Sequence, residues 1–121
     1  TVYFMHNKYN FNGVGVRDLT NQILVAADYF QKNRASVNAK EFLENYFDKI
    51  VLAAQTYGRR ISINKETFVA KMMSTNKYVY VAGYLDGYRR DTNATYAKYL
   101  CVDLKKKLKL QGMDCCIMSL K

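Results

Sequence analysis

The chain has no proline and no tryptophan among its 121 residues, and a single histidine, His6. Proline is the commonest helix breaker, and average usage near 5% would supply about six in this length, so its absence tilts the chain toward helix. One histidine excludes any mechanism or metal motif built on a histidine pair. Long apolar runs are missing as well. The stretch "IVLAA" at residues 50–54 falls far short of the ~20 apolar residues that cross a bilayer, so no membrane span is expected. No basic-then-apolar leader opens these residues, although a cleaved one would leave no trace in them.

Cysteine is sparse and oddly placed: Cys101, Cys115 and Cys116, two of them adjacent. Neighbouring cysteines seldom bond each other, so this is no disulfide framework and reads as reduced thiols in a cytoplasmic or host-intracellular compartment. His6 with the three cysteines lacks the short spacing that makes zinc motifs recognisable. "GVG" at residues 13–15 lacks the third glycine and the Lys-Ser or Lys-Thr of a phosphate loop. Glu41, Glu44 and Asp48 fall at helical intervals and make a solvated face, while Asp86, Asp91 and Asp103 moderate a basic neighbourhood. No catalytic constellation, metal site or cofactor is expected, and the chain reads as non-enzymatic.

What is abundant is positive charge. Lys and Arg number 19 against 10 acids, a formal charge of +9. Residues 61–121 carry 11 of those cations against 5 acids. Such an excess serves solubility and also favours polyanionic partners: nucleic acid, whether DNA or RNA, or an acidic protein surface. The Asn-, Lys- and Tyr-rich composition without proline suits an AT-rich genome, as in many phages and viruses.

The length and apolar content suit one globular domain. "TVYFM" is β-prone, and the asparagines and glycines of the following "HNKYNFNGVG" disfavour any regular element. From Asp18, residues Leu19, Ile23, Ala26, Ala27 and Phe30 form a helical stripe. Asn38 with Glu41 reads as a capping pair for a second helix carrying Leu43, Tyr46, Phe47, Ile50 and Ala54 and ending at Gly58. "RRISI" is a candidate short strand, after which Asn64 caps a third helix bearing Phe68, Val69, Met72 and Met73. A last helix from Asn93 places Ala97, Leu100, Cys101, Leu104 and Leu108 on one face and stops at Gly112. The tail "CCIMSL" can pair with the N-terminal strand.

"YVYVAGYLDGYRR" at residues 78–90 has two readings: an alternating strand, or a helix that lines up Tyr80, Tyr84 and Tyr88. The period-four spacing favours the helix. The fold expected is therefore mainly α, a single compact domain of four to five helices, with an optional small β-sheet pairing the N-terminal and C-terminal segments.

Between Lys77 and Lys109 basic residues and tyrosines interleave, the mixture a nucleic-acid surface needs, because phosphates attract cations and bases stack on planar rings. The residues assigned to that contact are Lys77, Tyr78, Arg89, Arg90, Lys98, Lys105, Lys106, Lys107 and Lys109. In a sharper form, "STN" is the turn of a helix-turn-helix and Lys77, Tyr78 and Val81 lead its second helix. The function expected is a small basic nucleic-acid-binding or regulatory accessory protein. Its rival is a protein-binding module or inhibitor using a Tyr/Met-rich surface, by self-association into a homo-oligomer or on an acidic partner.

Overall fold

The structure is a computed structural model describing residues 1–8, 11, 13–85 and 94–119. Its elements run β1 (Val2–Lys8), α1 (Gly13–Arg34), α2 (Ala39–Thr56), α3 (Lys65–Ser74), β2 (Tyr78–Tyr84), α4 (Ala94–Leu110) and β3 (Asp114–Ser119). Four helices thus accompany a three-stranded sheet, and the fold is mixed α/β, not an all-helical bundle. The chain divides into two compact units, residues 1–28 with 76–121, and residues 29–75.

The first unit is built on the sheet, ordered β1-β2-β3 with both pairs parallel. Parallel strands need a long crossover, and α4 supplies the one from β2 to β3. The two termini do not pair with each other as expected: β2 lies between them. Phe4, Tyr80 and Cys115 are register partners, as are His6, Ala82 and Ile117, so they share one face. Tyr3, Val79 and Asp114 share the other, with Met5, Val81 and Cys116.

Burial separates these faces. On β1 and β3 the residues of the Phe4–Cys115 face are half-buried and those of the Tyr3–Asp114 face exposed, while every residue of β2 is buried. Tyr80 and Tyr84 are sealed, and Phe4 stacks on Tyr80 at 4.9 Å between ring centroids. Ala97, Cys101, Leu104 and Leu108 of α4 form its buried stripe, as the spacing predicts. Gly112 closes the helix with φ of 76°, a conformation that only glycine adopts without strain, and the chain turns directly into β3.

The helix reading of residues 78–90 is therefore corrected over 78–84, and with it the helix-turn-helix. A spacing of four is a multiple of two, so Tyr80 and Tyr84 share a face in a strand as well as in a helix. What decides is that Tyr and Val suit a pleated surface and that β1 and β3 hydrogen-bond to this segment on either side. Tyr88, Arg89 and Arg90 lie outside the described residues.

The second unit holds α2, α3 and the last turns of α1. Buried Phe30, Leu43, Phe47, Val69 and Met72 form its core. An aromatic series joins the helices, with Phe30 at 6.0 Å from Phe42 and Phe47 at 5.2 Å from Phe68. Asn64 caps α3 as expected, its Oδ1 accepting from the Thr67 N–H at 2.8 Å. Asn38 does not cap α2: its side chain makes no capping bond, and its own N–H donates to Ser36 Oγ at 3.2 Å. Ser36 sits two residues earlier and takes over the local hydrogen bonding. Gly58 ends the helix region with φ of 67°, and "RRISI" is irregular chain, not a strand.

Candidate nucleic-acid interface

At 3.6 residues per turn the buried stripe of α4 fixes where its five lysines point. Lys98, Lys105 and Lys109 fall on one flank, about a quarter-turn from the stripe, and Lys106 points directly away from it. Lys107 falls on the opposite flank, where its Nζ donates to Asp103 Oδ2 at 2.9 Å. That bond and the carboxylate's charge raise the Lys107 pKa. Asp103 is the only acid on α4, so Lys98, Lys105, Lys106 and Lys109 have no carboxylate partner among the described residues. All five lysines are exposed, as are Tyr96 and Tyr99.

Lys77 joins this group through topology. It precedes β2 and is exposed, and its carbonyl accepts the Val2 N–H at 3.0 Å. β3 leaves the end of α4 and starts at Asp114, opposite Val79, so Lys77 and the last turn of α4 occupy the same end of the unit. Tyr78, in contrast, is buried in the sheet at 6% exposure and has no ring to offer a partner. The structure thus leaves Lys98, Lys105, Lys106 and Lys109 exposed along α4 and Lys77 exposed at the end of the unit where α4 finishes, sets Lys107 apart in an ion pair, and removes Tyr78 from the surface.

No protein-family model, curated protein or solved structure matches this chain. Its chemistry has to be read from its own surface.

Beside the lysine flank is a slot of about 300 Å³ lined by Phe11, Lys98, Cys101, Val102, Lys105 and Ile117. Phe11, one of its lining residues, meets Tyr84 edge-on at 4.9 Å between ring centroids. The charge of Lys105 lowers the Cys101 and Cys115 pKa values. Burial nevertheless dominates at both sulfurs and pushes Cys115 up to about 11. Reading the sequence misses Phe11, Val102 and Ile117, because only strand pairing and the return of α4 bring these segments together.

The other candidates carry less. A larger groove of about 510 Å³ in the second unit has two lysines and two glutamates on its rim, Lys40, Lys65, Glu44 and Glu66, and so no net preference for anions. Cys115 and Cys116 face opposite sides of the sheet, which separates them as joint ligands. Among the described residues no group of three metal-ligating side chains converges, and no helix is long and apolar enough to cross a membrane.

Proposed function

We propose that this protein is a small nucleic-acid-binding accessory protein whose contact surface is the lysine flank of α4, extended by Lys77 at the adjoining end of the sheet. The observation that carries the reading is the exposure of Lys98, Lys105, Lys106 and Lys109 over about three turns of a helix whose single acid is engaged by Lys107. Cations fixed at helical intervals on a rigid element displace counterions from a phosphate chain, and this release drives association. Lysines near the helix C-terminus also favour the helix dipole, but that effect is confined to the last turn and does not account for Lys98.

The test is a gel-shift titration on unrelated DNA and RNA at two salt concentrations. Binding weakens steeply with salt, and converting Lys98, Lys105, Lys106 and Lys109 to Gln abolishes it, each change altering stability by about 0.5 kcal/mol or less, as for exposed positions generally. Absence of binding at low salt sinks the reading.

A second reading rests on the open face of the sheet. Tyr3, Met5 and Met118 are exposed there at 65%, 54% and 38%, around Val79 and Val81. Parallel sheets are ordinarily covered on both faces. This face carries no lysine or arginine among the described residues, so two copies of a chain of charge +9 meet there without direct repulsion. Strand spacings give it about 20 by 14 Å. That is below the ~800 Å² per partner of a standard interface, and self-association is therefore weak. Sedimentation that is independent of protein concentration excludes it.

A further inference from the structure

Building on the nucleic-acid reading, we infer that the slot beside α4 receives an unstacked base of a single strand, with the flanking phosphates on Lys98 and Lys105. The two lysines are seven residues apart on one helix flank, about 10 Å along the axis. Cys101 and Val102 form the wall between them, and Phe11 and Ile117 close the other side. The lining is apolar, Lys98 and Lys105 contributing their methylene stems while their ammonium groups reach past it toward solvent, and an apolar surface is what a base face prefers when it leaves its stack.

The paired charges choose the occupant. An acyl chain carries one anionic head and needs one cation, whereas a base in a strand has a phosphate on either side. The slot's volume of about 300 Å³ is at the small end of ligand pockets, suited to a ring system and not to a long chain. A duplex keeps its bases stacked and paired, so it meets the lysines but leaves the slot unfilled. The site therefore discriminates single from double strands without reading sequence.

The experiment compares four probes on the full chain: an oligothymidine strand, an abasic strand of the same length, a duplex, and oleate. One stacked base is worth about tenfold in affinity, so oligothymidine should bind about tenfold tighter than the abasic strand. Val102 is 51% exposed, so Val102→Gln removes part of the wall without burying a polar group. That variant should bring oligothymidine down to the abasic level and leave abasic binding unchanged. A 2-aminopurine placed in the strand should change its fluorescence on binding to the native chain and not to the variant. Equal binding of the oligothymidine and abasic strands, at any salt-sensitive affinity, overturns the slot while the lysine flank stands. Saturable oleate binding lost in Val102→Gln assigns the slot to an acyl chain and also overturns it. Failure of all four probes at low salt overturns both the slot and the nucleic-acid reading.

Discussion

Lys98 and Lys105 stand two turns apart on the same flank of α4 and line one apolar slot, with Cys101 and Val102 between them. Neither lysine forms an ion pair among the described residues, whereas Lys107 on the opposite flank does. The physical chemistry elsewhere in the chain makes further outcomes checkable.

Arg34 closes the C-terminal end of α3. Its Nη2 donates to the carbonyls of Met72 and Met73 at 3.1 Å and of Thr75 at 2.7 Å. These are orphan acceptors at the negative end of a helix, where a fixed cation is favourable. Arg34→Met keeps the apolar stem but removes the donors, and is expected to cost about 1–2 kcal/mol, read as a lower urea midpoint at unchanged slope. A midpoint equal to that of the native chain would show that water replaces the guanidinium at no cost.

His6 lies on the covered face of the sheet, stacked with Tyr80 at 6.0 Å. Burial lowers its pKa from 6.5, opposed only in part by the Phe4 backbone. The unfolded chain therefore takes up a proton at higher pH than the folded one. Stability is full above the unfolded value, declines as pH falls through 6.5, and levels off below the lowered folded value. Thermal melts between pH 7.5 and 5 should show this decline, and His6→Gln should flatten it. A melting temperature that rises on acidification over that range contradicts the placement of His6.

The adjacent cysteines should react very differently. Cys116 is exposed on the open face, whereas Cys115 is half-buried on the covered face with its thiol held near 11. Cys101 is buried and likewise shifted upward by desolvation. Since the thiolate is the nucleophile, brief iodoacetamide treatment at pH 8 should label Cys116 first, and all three only after unfolding. Mass spectrometry that finds Cys115 and Cys116 labelled at equal rates would contradict the register of β3.

Much of the local structure is legible in the residues. Asn64 announces the start of α3, and Gly58 and Gly112 announce stops because they alone reach positive φ without strain. The stripe of Ala97, Cys101, Leu104 and Leu108 identifies the inner face of α4 and hence which lysines look outward. Residues 78–84 are illegible for a definite reason, since the tyrosine spacing satisfies strand and helix alike. Its identity depends on neighbours distant in the sequence, β1 and β3, which supply its hydrogen bonds.

The sequence by itself determined the apolar stripes of the helices, the Asn64 cap, the glycine stops and a concentration of positive charge in its second half, since these depend on contacts within a few residues. It misplaced the cap of α2 at Asn38 and the start of α1, which is Gly13 and not Asp18. Only the tertiary structure decided that Tyr78 is buried, that Lys107 is engaged, and that Cys115 and Cys116 face opposite ways. It also decided that Phe11 and Ile117 meet α4 to form a slot. Those outcomes follow from parallel strand pairing, which joins segments tens of residues apart and leaves no periodic mark along the chain.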